Sequence, residues 1–482
     1  MFVTEQTRDT TTTTTGSAFR PVLQQALRYA LDHLENLDRA PVSPMATLDE
    51  LRARLDRPVT DAGVEAATVI NDLVADARDG IIGSASGRFF GWVIGGSVPA
   101  ALGAEWLVSA WDQNAAIHAC GPAVAVIEEI AGKWLKDLLR LPPTAAFAFT
   151  TGSQLAHVTG LAAARHALLA RRVWDVERQG LAGSPRIRIV SGHQRHGSIE
   201  RAVRLLGLGS DSVVDLPTDA QGRLAPDTLA AAFRDRSDAL TIVILQAGDL
   251  NIGAFDPFTD LIPLAHQNGA WVHVDGAFGL WVNASQTYRH LLEGVELADS
   301  WVVDGHKWLN VPYDSGYAFV ADPRTLRDAV SHRTSYTAFV EGARDPIDWN
   351  PEWSRRARGV ATYAAIRQLG RQGIADLIDR TCHHAQALVR RIGALPGAEV
   401  VWKPTINQGL VRFLSRGADA TSADHDNRTD EVIGHILKAG EAFFGGVTWQ
   451  GMRCMRVSVC NWQTSDEDVD RAVTAVDIAL RR

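Results

Sequence analysis

Between about residues 121 and 330 short apolar runs alternate with amphipathic stretches, and this alternation restricts the fold more than any other feature. Apolar strands are expected at Ala145–Thr150, Arg186–Val190, Ser212–Leu216, Leu240–Leu245, Ala270–Val274 and Ser300–Val303. Helices are expected between most of them, including Pro122–Leu139 and 154–170. Runs that are apolar on both faces and separated by helices predict an α/β fold with a mostly parallel, doubly covered sheet. Ligands of such sheets collect beyond the carboxyl ends of the strands.

The flanking segments have a different texture. Residues 1–85 read as an N-terminal helical arm, with helices over 20–37 and 61–78. It begins with about 16 residues expected to be disordered, including the polar run Thr10–Thr15. Residues 86–330 form the expected large domain. Its first part, 86–117, is rich in Gly, Ala and aromatics and reads as buried loop and helix near a site or a subunit contact. Residues 331–482 read as a smaller α/β domain: a polar loop over 331–352, helices over 356–370 and 373–392, short strands over 398–402, 409–414 and 453–460, and a last helix over 465–480. A chain of 482 residues exceeds a single core, in keeping with two or three domains.

Charge and cysteine usage exclude several classes. A net charge of −8 argues against a nucleic-acid footprint. The cysteines Cys120, Cys382, Cys454 and Cys460 have neither metal-ligand spacing nor a disulfide framework, so reduced thiols in a cytoplasmic compartment are expected and no metal is. No apolar run approaches the ~18 residues of a membrane span, and the N-terminus lacks a secretory pattern.

Two segments carry chemistry. Trp271-Val-His-Val-Asp-Gly-Ala-Phe-Gly ends a strand on Asp275, and Asp304-Gly-His-Lys-Trp-Leu-Asn follows another with Lys307. Together they offer an amine for a Schiff base and a carboxylate for a pyridinium nitrogen, the two groups needed to run pyridoxal phosphate (PLP) as an electron sink. A lone lysine is usually a solvated surface residue, and a strand-end aspartate usually caps a turn. Lys307, however, lies between His306 and Trp308 close after an apolar strand, where partial burial favours a nucleophilic amine. Gly152-Ser153-Gln154 follows a strand and opens a helix, either as a phosphate-binding N-terminus or as a plain cap. His196 stands in a strand-to-helix loop, as a ring stacked on the cofactor or as an ordinary loop histidine, with His193 competing for the role. Ala277 is small enough to let a ring lie close above it. His306 reads as a phosphate contact and Asn251 as a partner of the ring oxygen, or both as structural polar residues.

These segments resemble the fold-type-I, group II PLP-dependent amino-acid decarboxylases, the group of aromatic-L-amino-acid, histidine and glutamate decarboxylases. The resemblance covers roughly residues 85–480. It implies that Lys307 is the Schiff-base lysine, Asp275 the pyridine-nitrogen partner and His196 the stacking histidine, with Gly152, Ser153 and Gln154 on the phosphate turn. It further implies a homodimer with active sites at the interface, residues 110–118 donated to the partner's site, and a substrate pocket lined by Phe89, Phe90 and Trp92. Arg456-Val-Ser-Val-Cys-Asn-Trp resembles the family's C-terminal strand. Three departures stand out. The phosphate turn differs from the common Gly-Gly-Ser-Glu-Ala-Asn pattern, and Leu250-Asn251 replaces a threonine. Pro346 occupies the loop position that usually presents a proton-donating tyrosine, while Tyr336, in the same loop, does not align.

The expected activity is decarboxylation of an L-amino acid by a carboxy-lyase through a Lys307 Schiff base and a quinonoid. The alternatives are aldehyde-forming oxidative deamination, β-elimination from a cysteine conjugate, and a silent binding protein on the same scaffold. Phe89, Phe90 and Trp92 favour an apolar or aromatic substrate side chain or are simply core. Arg355 and Arg356 contact substrate or carry surface charge, and Gly95 and Gly96 are read as widening the pocket.

Overall fold

The computed structural model describes residues 15–234, 238–332 and 340–482. A helix already begins at Thr15, the end of the polar run expected to be disordered. The rest of that run, Thr10 to Thr14, and Tyr336 lie outside the described residues.

Seven strands build the larger sheet: β1 (Ala146–Thr150), β2 (Ile187–Gly192), β3 (Val213–Leu216), β4 (Leu240–Gln246), β5 (Trp271–Asp275), β6 (Ser300–Asp304) and β7 (Gly316–Val320). Their order is β1-β7-β6-β5-β4-β2-β3. Strands β3, β2, β4, β5 and β6 pair in parallel, as the unbroken apolar runs predicted. Strand β4 shows why. Ile242 and Ile244 enter one core with Leu161, Leu168 and Ile199, while Val243 and Leu245 enter the opposite core with Phe258, Leu261 and Trp301. Both faces are sealed by helices, so no position along the strand tolerates water.

Strand β7 is the exception that positions the site. It runs antiparallel to β6 and to β1, so β1 and β6 point the same way. The carboxyl ends of β1, β5 and β6 therefore share one edge. Its short sequence, Gly-Tyr-Ala-Phe-Val, was not anticipated as a strand.

A second sheet, order β10-β11-β9-β8, is antiparallel and comprises β8 (Ala398–Trp402), β9 (Gln408–Phe413), β10 (Gly445–Trp449) and β11 (Met452–Ser458). Helices Ser422–Ala439 and Asp466–Arg481 cover it, their apolar residues Val432, Ile436, Val469 and Val476 sharing a core with Phe413, Met455 and Val457. The first of these helices was not anticipated, although Thr421 and Asp424 form a reciprocal capping box at its start. The two helices expected after 356 form and meet at a kink within Arg358–Gly393. The expected break falls on Gly370, whose backbone alone is non-helical there (φ 62°, ψ 179°). This long helix joins the two cores: Ile366, Ile374 and Ile378 enter the first, Leu388, Val389 and Ile392 the second.

The loop between β6 and β7 is tied across the two sheets by Asn310. This buried residue is left-handed (φ 58°). Its Nδ2 donates to the carbonyls of Trp308 and Cys460, both at 2.9 Å, and its Oδ1 accepts from Trp462 N at 2.8 Å. Replacing Asn310 by Ala removes these bonds and leaves an unfavourable backbone, a cost of about 2–4 kcal/mol. Asn310→Gly relieves the backbone only, so urea midpoints are expected in the order wild type, Gly, Ala.

Candidate active site

Asp275 ends β5, where the strand delivers its carboxylate to the shared edge. Its Oδ1 accepts from Ala277 N at 3.2 Å, and its Oδ2 lies 3.5 Å from His157 Nε2. Burial by itself would raise this carboxyl's pKa, but His157, His196 and Lys307 outweigh it and hold the group well below the usual carboxylate range. His157 comes from the helix Ser153–Ala170 that opens on the same edge. Its Nδ1 lies 3.0 Å from His273 Nε2, and His273 Nδ1 lies 2.8 Å from Ser300 Oγ. Burial lowers the His273 pKa to about 3, so this ring is neutral.

Lys307 sits on the β6–β7 loop with its Nζ 3.0 Å from Asp304 Oδ2. Asp304 is buried, and its Oδ1 accepts from Ser153 N at 2.6 Å. One carboxylate thus joins the lysine to the helix start at Gly152-Ser153-Gln154. His306 packs beside that start: a Cβ on Gly152 would lie 3.0 Å from His306 Cε1. His306 Nδ1 accepts from Ser315 N at 3.2 Å, and its ring stacks on Tyr313 with centroids 4.3 Å apart. Two tryptophans fix the loop. Trp281 Nε1 donates to Asp304 O at 2.9 Å, and Trp308 Nε1 to Thr381 Oγ1 at 2.8 Å. Gly95 backs directly onto it, since a Cβ there would fall 1.8 Å from Lys307 O. Gly95 is a close-approach glycine, and Gly96 a left-handed one against Asn461 (φ 74°), rather than residues that widen a pocket.

His196 caps the helix Gly197–Leu205. Its Nδ1 accepts from Ser198 N at 3.2 Å, which assigns the proton of the neutral ring to Nε2. Although the residue is exposed in the single chain, surrounding protein lowers its pKa, with Asp275 and Lys307 among the charges it senses. The competitor His193 instead faces Leu216 O and Gln194. Gln154 Nε2 donates to Ser198 O at 3.3 Å, coupling the two helix starts. Asn251 lies in the turn after β4, held by its own N–H to Asp249 Oδ1 at 2.7 Å.

The aromatic trio is divided. Phe89 and Phe90 are sealed (1% and 0% exposed), stacked on Phe443 and Phe444, and Phe90 belongs to the core of the smaller sheet. Only Trp92 is open to solvent (53%). Arg355 is buried against Glu128 at 2.7 and 2.8 Å, and Arg356 pairs with Glu105, so both arginines have structural partners. Segment 110–118 is laced to residues 345–355 of its own chain. Ala115 N donates to Arg355 O, Ile347 N to Ala116 O and His118 N to Asp345 Oδ1, at 2.8–3.0 Å. Pro346 opens a buried turn in that lacing.

Asp304 and His157 escaped the reading of the sequence. The Asp-Gly-His-Lys run did contain Asp304, as the acid three residues before the lysine. His157 offered only a polar residue amid helix alanines.

The shared edge has the polar atoms a PLP-sized anion would engage. Ser153 Oγ is buried without a hydrogen-bond partner at the helix start, where Asp304 links that start to the Lys307 amine. An α/β enzyme working through a phosphate-bearing carbonyl cofactor fits this edge. The model of the pyridoxal-dependent decarboxylase conserved domain matches residues 49–416, and the chain belongs to that family. Its fold is that of the fold-type-I PLP enzymes, and PLP is its cofactor. The chain is 26% identical to an aromatic-L-amino-acid decarboxylase of Bacillus atrophaeus over 453 residues, 92% of each protein. It is 24% identical to a 4-hydroxyphenylacetaldehyde synthase of Rhodiola rosea over 456 residues, 92% of this chain and 91% of the relative. A crystal structure of Oryza sativa TDC with PLP and tryptamine superposes with a TM-score of 0.89 at 23% identity, covering 99% of both chains. No helix among the described residues is long and apolar enough to cross a membrane.

Two outcomes follow from this packing. Gly95→Ala drives a methyl into the Lys307 carbonyl and is expected to weaken PLP binding at least tenfold, measured by equilibrium dialysis. Stability is expected to fall with acidity. His273 stays unprotonated in the folded chain down to about 3 but protonates near 6.5 when unfolded, so its contribution is present above about 6.5 and lost as pH drops. His196 and His306, also lowered chiefly by burial, act in the same direction. The urea midpoint of the cofactor-free chain is therefore expected to drop between pH 7 and pH 5.

Proposed function

We propose that the protein removes the carboxylate of an L-amino acid as carbon dioxide, with PLP tethered at Lys307. The observation that carries this reading is the constellation at one strand edge: a buried Asp275 ending β5, and Lys307 with its Nζ 3.0 Å from Asp304, which also holds the helix start at Ser153. The bound cofactor supplies an electron sink for the bond broken at Cα. Asp275 would keep a proton on the pyridine nitrogen, and the Lys307 amine would hold the cofactor through its carbonyl carbon. The amides of Gly152 and Gln154 and the Ser153 hydroxyl would hold the phosphate with His306, Asn251 would serve the ring oxygen, and the small Ala277 would leave room for the ring. His196 would stack on the ring.

An apolar or aromatic side chain is the favoured substrate class. Trp92 is the exposed member of the aromatic set, and relatives named for aromatic substrates cover nearly the whole chain. The active unit is a homodimer. Trp106, Leu107 and Trp111 on the helix Pro99–Trp111 and Phe19, Leu23 and Leu27 on the N-terminal helix are exposed and apolar, as surfaces covered by a second copy are. Segment 110–118 continues the first of these surfaces toward the partner's site. The arm over 1–85, the large unit over 86–330 and the small unit over 331–482 then act together, in the cytoplasm.

One observation favours a second outcome, formation of an aldehyde. Pro346, buried and pinned to segment 110–118, stands where the family's proton-donating tyrosine is expected, and a 4-hydroxyphenylacetaldehyde synthase is among the relatives. That reaction consumes dioxygen and water and releases aldehyde, carbon dioxide, ammonia and hydrogen peroxide.

Product analysis by mass spectrometry on a panel of L-amino acids and cysteine conjugates separates the outcomes. Amine with carbon dioxide is expected. Aldehyde with peroxide establishes the second outcome, and pyruvate with a thiol would overturn both. Asp275→Asn is expected to lower kcat at least a hundredfold, about 2.7 kcal/mol in barrier height. Lys307→Ala is expected to abolish turnover and borohydride-stable cofactor attachment.

A further inference from the structure

Behind Asp275 runs a buried file of polar side chains that the chemistry at the edge does not itself employ. His157 (0% exposed) approaches the carboxylate through Nε2, which has no hydrogen-bond partner. His273, also 0% exposed, bridges His157 and Ser300, and Trp271 Nε1 donates to the same Ser300 Oγ at 2.9 Å. Proton bookkeeping along this file admits few solutions. The indole can only donate, so Ser300 Oγ accepts from Trp271 and has one proton of its own to place. Its remaining neighbour in hydrogen-bond reach is His273 Nδ1. If Ser300 donates to His273 Nδ1, the neutral His273 ring carries its proton on Nε2 and donates to His157 Nδ1. His157 then presents Nε2–H to Asp275. Every group from Trp271 to His157 Nδ1 is then paired, and every donor points toward the carboxylate. The reverse order crowds two N–H groups onto Ser300, strands its proton, and requires a charged His157.

The helix Ser153–Ala170 is shaped for this file. His157 and Gly160 lie three apart on one face. A Cβ on Gly160 would fall 2.8 Å from His273 Cε1, so the glycine makes room for the second ring.

We propose that His157 is a positioning residue, the last link of a one-way donor chain Trp271–Ser300–His273–His157. The chain points an N–H at Asp275 and keeps that carboxylate ionised and oriented to hold the proton on the cofactor's pyridine nitrogen. This inference rests on the reading of Asp275 as the pyridine-nitrogen partner. The groups facing the carboxylate are His157, His196 and Lys307. His157 approaches from within the fold, while the other two stand on loops at the edge. The chain's contribution is therefore independent of substrate.

The test uses the full-length protein with His157→Leu, which removes the donor, and His157→Gln, whose Nε2 replaces it. Ser300→Ala breaks the far end without touching Asp275. Equal melting temperatures of the cofactor-free forms establish intact folds. Two readouts are followed: the PLP dissociation constant, and the ¹⁵N resonance of the ring nitrogen in [¹⁵N]PLP bound to each variant. Wild type is expected to show a pyridinium resonance. His157→Leu is expected to bind PLP at least tenfold more weakly and move the resonance toward neutral pyridine. His157→Gln is expected to restore the pyridinium signal and bind within about threefold of wild type. If His157→Leu does not fold, Ser300→Ala decides: a shift toward neutral pyridine supports the chain, and an unchanged resonance overturns it. An unprotonated ring nitrogen in wild type would sink the reading of Asp275 itself. A protonated ring nitrogen unchanged in His157→Leu would sink only the donor chain.

Discussion

The structure turns on keeping a carboxylate ionised where water does not reach it. Asp275 lies at the end of a strand buried on both faces, and burial by itself favours its neutral form. Compensation comes from elements far apart in sequence: the helix that starts at Ser153, the loop holding His196 and the loop holding Lys307. All three converge on this one side chain in the folded chain. The anion in turn gives the shared edge a negative site that a pyridinium nitrogen can match.

A second carboxylate, Asp304, holds the edge together mechanically. It accepts from the first helical amide and pairs with Lys307, so the amine and the helix start at Ser153 cannot shift independently. The backing for this arrangement is unusually close. Gly95 has no space for a Cβ, and Asn310 stitches the lysine loop to the strand that ends before Cys460. The long helix Arg358–Gly393 feeds both hydrophobic cores, which couples the two sheets behind the site. Precision in such a site comes from packing of this kind, since a misplaced reacting group costs far more than a lost surface contact.

The parallel sheet could be read along the chain because strands such as β4 are apolar at nearly every position, and only a doubly covered sheet buries them so. The elements missed lacked that signal. Strand β7 is five residues long and antiparallel, with a glycine at its start. The helix Ser422–Ala439 is polar over most of its surface, and its capping box was its one local mark. The aromatic trio allowed two readings for a related reason. Phe89 and Phe90 are hydrophobic enough for either a pocket or a core, and packing against Phe443 and Phe444 placed them in the latter within the single chain.

Local sequence alone determined the chemical vocabulary: a lysine after an apolar strand, an aspartate ending another and a glycine-serine helix start. These groups act through types and spacings that a chain displays in one dimension. Tertiary structure alone decided which groups meet. His157 lies 116 positions from His273, and Ser153 lies 151 from Asp304, so no periodicity links the partners. Their contact exists because β7 runs antiparallel between β1 and β6 and brings those strand ends to one edge. Hydrogen bonds and buried charge depend on distance in space, and only the folded sheet supplies it.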